Sequence, residues 1–200
     1  MLKPKMILTD LDGVLRIFPS HHNGSVENAL GLKPGSFLPI AFQRKFLEPA
    51  VAGKITDEQW RQNIIAELSK NLELSAVDRA ITRWTAFPGE LQNEVHALYL
   101  AQKQNCKLSL LTNATTRLNT DLKTLGIYDM FDIIFNTSKI GFAKPDPKSF
   151  EHVLKSVEYP AHEILFIDDR EENIKAAEAL GFRVLFYENY QGLHSALNWR

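Results

Sequence analysis

Four short polar clusters, widely separated along a 200-residue chain, carry side chains that could do chemistry together. They are Asp10-Leu11-Asp12-Gly13, Thr112-Asn113, Lys144 and Asp168-Asp169. Asp10, Asp168 and Asp169 could gather several carboxylate oxygens, which suits a hard cation such as Mg²⁺. Lys144 and the Thr112 hydroxyl could hold the non-bridging oxygens of a phosphoryl group. With a cation offsetting the repulsion between carboxylate and phosphate, an aspartate could attack phosphorus. The resulting acyl-phosphate would divide one hard displacement into two easier ones. Asp12 could protonate the leaving oxygen and later activate water. Gly13 would let the chain turn sharply after the carboxylate pair.

For these clusters to meet, regular elements must carry them to one place. Met6-Ile7-Leu8-Thr9 is a short apolar run ending at Asp10, residues 107–111 form another ending at Thr112, and residues 164–167 a third ending at Asp168. Ile133-Ile134-Phe135 and Val184-Leu185-Phe186 complete five candidate strands. None alternates cleanly between polar and apolar residues, the pattern of strands buried on both faces of a parallel sheet. Helical spacing fills the gaps. Leu118, Leu122 and Leu125 form one stripe stopped by Gly126, and Ile174, Ala177 and Leu180 another stopped by Gly181. Phe150, Val153, Leu154 and Val157 form a third, with Asp146 as N-cap and Pro147 in the first helical position. Alternating strands and helices predict an open α/β sheet with right-handed crossovers. Such sheets bind ligands at the carboxyl ends of their strands; three of the clusters end strands, and Lys144 lies in a loop reachable from the same edge.

One stretch breaks the rhythm. Residues 16–87 carry helical signals but no convincing strand, and a structureless loop of about 70 residues is implausible. Thr56-Asp57-Glu58-Gln59 reads as a capping box opening a helix with Trp60, Ile64 and Leu68 on one face. A second helix is expected over 75–84, and a third opened by Pro88-Gly89 with Leu91, Val95, Leu98 and Tyr99 on one face. The stretch therefore reads as a helical subdomain inserted after the first strand.

Together, Asp10-x-Asp12-Gly13-Val14-Leu15, Thr112-Asn113 after an apolar run, Lys144-Pro145-Asp146 and Ile167-Asp168-Asp169-x-x-x-Asn173 resemble the four ordered motifs of the haloacid dehalogenase-like (HAD) hydrolase superfamily. The resemblance covers about residues 1–15 and 88–187. It implies a Rossmann-like parallel sheet core flanked by helices, with core residues 1–15 and 88–200 and an α-helical cap over 16–87. It also implies Mg²⁺-dependent phosphoryl transfer through an aspartyl-phosphate. Asp10 is then the nucleophile and a metal ligand, and Asp12 the general acid/base whose backbone carbonyl also ligates the metal. Thr112 and Lys144 hold the phosphoryl group, helped by the Asn113 backbone amide. Asp168 is a metal ligand, Asp169 another, directly or through water, and Asn173 stabilises their loop.

Each residue has a plainer reading too. Asp12-Gly13 is also a turn pair, and Asp169-Arg170-Glu171-Glu172 has capping-box spacing. His21-His22 has no third ligand nearby and reads as a solvated loop. Arg16 and Arg44 read as surface or packing residues that could still reach a phosphate. Trp60 and Trp84 read as packing within the cap, and Cys106 as a small residue near a strand start.

Composition narrows the alternatives. Lys and Arg total 23 against 24 Asp and Glu, for a net charge of -1, so no basic excess argues for nucleic acid or an anionic membrane. No apolar run approaches the roughly 18 residues of a membrane span, and the first ten residues reach Asp10 before a signal-peptide core could form. One cysteine excludes an internal disulfide. The expectation is a cytoplasmic monomer or homodimer that hydrolyses a small phosphorylated metabolite. Three other functions fit the scaffold. Dehalogenation, as the resemblance has it, needs no Mg²⁺ and typically no second aspartate. A sugar phosphomutase would need a cap histidine near the position of His22. A non-catalytic binding protein is expected to lack a motif residue, and none is missing here.

Overall fold

The structure is a computed structural model and describes residues 3–198. Strand β1 (Met6–Thr9) is followed by the two-residue β2 (Arg16–Ile17) and helices α1 (Ser20–Leu30), α2 (Phe37–Ala41), α3 (Arg44–Val51), α4 (Asp57–Leu68) and α5 (Leu74–Ala86). Next come β3 (Glu90–Leu91), α6 (Asn93–Gln102), β4 (Lys107–Thr112), α7 (Leu118–Thr124), β5 (Ile133–Asn136) and the short α8 (Thr137–Ile140). The chain closes with α9 (Pro147–Ser156), β6 (Ile164–Asp168), α10 (Glu171–Ala179), β7 (Arg183–Phe186) and α11 (Tyr190–Leu197).

Five strands form a parallel sheet in the order β5-β4-β1-β6-β7, a Rossmann-like α/β fold. β1 is the central strand and is buried throughout. Successive side chains of a strand point to opposite faces, so Ile7 enters one apolar cluster with Val95, Tyr99 and Leu108, while Met6 and Leu8 enter another with Phe150 and Phe166. Apolar packing on both faces explains why these strands carry no alternation.

Local signals were accurate where they were strong. Thr56 and Gln59 form a reciprocal capping box on α4, and the Asp146 side chain caps α9 with Pro147 at its start. The weak ones misled. Arg16–Ile17 is a strand, paired antiparallel with Glu90–Leu91. Two residues are too few to leave a periodic signal. Leu91 is accordingly extended, and the following helix begins at Asn93, after the Gln92 side chain donates to the Val14 carbonyl at 2.7 Å. The two-stranded ribbon lies where the chain leaves the sheet and returns to it.

Helices α1 to α5 enclose their own apolar cluster, which includes Phe37, Trp60, Ile64, Ile81 and Trp84. They touch the rest of the chain at specific points. The Asp57 carboxylate accepts from the Thr115 hydroxyl at 2.8 Å, and its backbone N–H donates to Thr116 Oγ1 at 3.0 Å. Gly53 lies so close to the Ser138 carbonyl that any Cβ would overlap it. Among the described residues no helix is long and apolar enough to cross a membrane.

Candidate active site

Asp10 follows the last residue of β1, Thr112 ends β4 and Asp168 ends β6. These are three adjacent strands of one parallel sheet, so their carboxyl ends open on one edge. β1 is also where the strand order reverses, the switch point at which such sheets leave a crevice. Beneath it the Thr9 hydroxyl and Tyr99 hydroxyl share a hydrogen bond of 2.8 Å, satisfying two polar groups inside the core.

The buried Lys144 ammonium joins the first and last clusters. Its Nζ lies 3.0 Å from Asp10 Oδ1 and donates to Asp168 Oδ2 at 2.6 Å. Asp168 is held from the other side by Asn173, whose Nδ2 lies 3.0 Å from each carboxylate oxygen, and by the Arg170 backbone N–H at 2.9 Å. The Leu11 backbone N–H donates to Asp10 Oδ1 at 2.7 Å. Taking a carboxylate out of water favours its neutral form. Burial accordingly pushes Asp10 up to about 7, against the pull of Lys144 and reinforced by Asp168 and Asp12.

Asp169 completes the acidic group. Asp10, Asp168 and Asp169 each bring one carboxylate oxygen within 4.8 Å of the others, a donor set suited to a hard divalent cation. Burial and the neighbouring Asp168 raise the Asp169 carboxyl above its ordinary range. Asp169 does not cap the helix that follows: α10 starts at Glu171, and Arg170 at the cap position makes no side-chain cap bond. Its carboxylate instead lies against Gly13, where any Cβ would overlap it. Gly13 has φ +86°, so both conformation and space call for glycine.

The other expected residues sit differently. Asn113 is spent on the loop: its Nδ2 donates to the Lys144 carbonyl and its Oδ1 accepts from the Lys144 N–H, both at 2.8 Å. That side chain positions Lys144 and leaves only the Asn113 backbone for a ligand. Thr112 is buried, and among the described residues its hydroxyl has no hydrogen-bond partner. Asp12 lies outside the acidic trio, its carboxylate turned to Arg16.

Arg16 is the site residue that sequence reasoning undervalued. It is buried, donates twice to Asp12 and also reaches the Pro88 carbonyl and Asp121. Burial works against its charge, but Asp12 and Asp121 outweigh that and raise its pKa. Nothing in the local sequence shows that residues 88 and 121 return to meet it.

His21 and His22 are on α1 rather than in a loop. The His22 ring lies 4.6 Å from that of Phe87 and 6.1 Å from that of Trp84, and burial lowers its pKa. Trp60 and Trp84 pack in the helical cluster as expected, but they also line a cavity of about 740 Å³ shared with Asp12 and Asn113. Among the described residues Arg44 pairs only with Glu48 on the surface, and burial raises the Cys106 thiol.

A parallel sheet with a carboxylate trio and a buried lysine at its switch point defines a class of hydrolytic enzymes rather than one member. The chain belongs to the haloacid dehalogenase-like hydrolase family, whose model matches residues 4–181. A sesquiterpene phosphatase of Aspergillus oryzae is 46% identical over 54 residues, which span 27% of this chain and 28% of that relative. A phosphoglycolate phosphatase of Pseudomonas fluorescens is 26% identical over 90% of this chain and 68% of its own length. A HAD family enzyme from Bacteroides thetaiotaomicron, solved with magnesium and inorganic phosphate, superposes with a TM-score of 0.74 at 25% identity, covering 92% of this chain and 94% of that one.

Proposed function

We propose that this chain is a Mg²⁺-dependent phosphomonoester hydrolase acting on a small phosphorylated metabolite through an aspartyl-phosphate. The observation that carries the reading is the position of Lys144 Nζ, 3.0 Å from Asp10 and 2.6 Å from Asp168 at the switch point of the sheet. A buried cation between two carboxylates marks a site built to concentrate and balance charge. The phosphatases among its relatives and the magnesium and phosphate in the Bacteroides enzyme support it.

In this reading Asp10, Asp168, Asp169 and the Asp12 backbone carbonyl hold Mg²⁺, which when bound neutralises charge on the phosphoryl oxygens. The Asp10 carboxylate attacks phosphorus, forming an Asp10 O–P bond as the bond to the leaving oxygen breaks. Asp12 donates the proton that the departing alkoxide takes. It then accepts a proton from water, whose oxygen displaces Asp10 from phosphorus and releases inorganic phosphate. Lys144, the Thr112 hydroxyl and the Asn113 backbone amide hold the phosphoryl oxygens. Uncatalysed ester hydrolysis is so slow that positioning and charge stabilisation must supply on the order of 20 kcal/mol. Residues 16–87 act as a cap over the core of 1–15 and 88–200, excluding bulk water and contacting the leaving group.

Inorganic phosphate release from a panel of phosphate esters tests the reading, run with Mg²⁺, with EDTA and with Asp10→Asn. Metal-dependent release that the substitution abolishes supports it. A folded protein that releases no phosphate from any ester would sink it.

A further inference from the structure

The cavity that includes Asp12 in its wall has an unusual lining for a site handling charged esters. Phe18, Phe42, Trp60, Trp84 and Phe87 supply aromatic surface, and Leu38, Leu47 and Val51 fill between them. The two indoles show the cavity carbon rather than a donor. Trp84 Nε1 is spent on Asn23 Oδ1 at 3.0 Å, and Trp60 Nε1 on the Ala41 carbonyl at 3.2 Å.

Most polar residues of the wall, His22 apart, are likewise spent on partners within the protein. Arg16 is taken by Asp12 and Asp121, and Arg117 Nε by Asp121 at 2.8 Å. Asp57 accepts from Thr115 and pairs with Arg61, and the Thr85 hydroxyl donates to the Ile81 carbonyl. A polyol or sugar brought in here would lose hydrogen bonds to water and find few in exchange, a cost of a few kcal/mol for each group left unpaired. Apolar carbon would lose nothing. Phe18, Leu38 and Phe42 are moreover 41%, 37% and 45% exposed, apolar surface left open around this same space. A volume of about 740 Å³ suits a molecule of drug size.

We infer that this cavity receives a bulky apolar leaving group, so that the substrates are monophosphate esters of hydrophobic alcohols rather than of sugars or polyols. The inference rests on the hydrolase reading for its chemistry, since Asp12 protonates the leaving oxygen from the cavity wall. The apolar lining stands independently of that reading.

The test pairs turnover with binding. Phosphate release is compared for decyl phosphate and 2-naphthyl phosphate against glucose 6-phosphate and glycerol 3-phosphate. The expected kcat/KM is higher for the apolar pair by at least roughly tenfold. Phe42→Asn, at a 45% exposed position whose ring meets Trp60 and Trp84 edge-on, should erase most of that advantage, read as the kcat/KM ratio of apolar to sugar esters within the same variant. Separately, 2-naphthol should quench the fluorescence of Trp60 and Trp84 saturably, and less tightly in the Phe42→Asn protein. Phosphate release with no apolar preference, or a preference for the sugar phosphates, overturns the inference and leaves the hydrolase reading standing. Release from no ester together with saturable naphthol binding overturns the hydrolase reading and retains an apolar site. Absence of naphthol binding overturns the apolar site itself.

Discussion

Arg16 grips Asp12 through both carboxylate oxygens, Nε to Oδ1 at 2.6 Å and Nη2 to Oδ2 at 2.9 Å. The guanidinium is almost fully buried while the Asp12 side chain stays 44% exposed. A proposed proton donor is thus fixed by a planar fork at the ribbon where the chain crosses between sheet and helices. Gly89 makes room for it, since a Cβ there would crowd the Arg16 methylenes at 2.8 Å.

Arg16→Ala should therefore cost about 2 kcal/mol, because Asp121 and the half-exposed Asp12 lose their common partner. Arg16→Lys keeps the charge but not the fork. Its melting temperature should stay closer to wild type while kcat falls roughly tenfold for want of an oriented Asp12. Thermal melts and phosphate-release kinetics on both variants check this. Equal kcat in Arg16→Lys and wild type would remove any role for the fork in orienting Asp12.

Gly13→Ala should destabilise the protein by about 1–3 kcal/mol, from a left-handed backbone at φ +86°. It should also weaken Mg²⁺ binding about tenfold, since its Cβ displaces the Asp169 carboxylate. Calorimetric Mg²⁺ titration measures the second effect. Unchanged affinity in the variant would take Asp169 out of the metal site.

Lys144→Ala leaves Asp10 and Asp168 facing each other without the ammonium between them. Removing one partner of such a buried group costs about 3–5 kcal/mol. Mg²⁺ can replace part of the lost positive charge, so added Mg²⁺ should raise the melting temperature of Lys144→Ala more than that of wild type. EDTA should reverse the gain. Phosphate release should be lost with or without the metal.

Asp132 offers a pH test remote from chemistry. It accepts from Lys107 Nζ and from the Leu108 N–H, each at 2.9 Å, tying the start of β4 to the residue before β5. Burial alone would raise this carboxyl, but those two donors outweigh it and hold it below its ordinary range. A carboxyl lowered in the folded state stabilises above its unfolded pKa and loses that contribution as pH falls through the folded one. Asp132→Asn should thus lower stability by about 1 kcal/mol at pH 7, and the gap should close below about pH 4. Urea titrations at both pH values measure it.

The strong signals in the chain are local ones. Five apolar strands, three of them leading into polar clusters, the Thr56 capping box and the Asp146-Pro147 helix start each depend on a few consecutive residues, and each is found where the spacing puts it. Asp10, Lys144 and Asp168 were legible for the same reason. Asp10 follows and Asp168 ends an apolar strand, Lys144 lies in the loop between α8 and α9, and the fold brings all three to one edge of the sheet.

What the linear chain hides is decided across long separations. Arg16 joins Asp12 to Pro88 and Asp121, and Asn113 belongs to the Lys144 backbone, because loops 31 to 105 residues apart happen to pack there. The β2–β3 ribbon has two residues on each side and no period to detect. Trp60 and Trp84 look like any core aromatics in sequence, and only their indole hydrogen bonds and their place beside Asp12 turn them into the wall of a cavity. Strand and helix follow from neighbours a few residues apart. The direction a polar side chain faces follows from whichever distant donor or acceptor burial leaves within its reach.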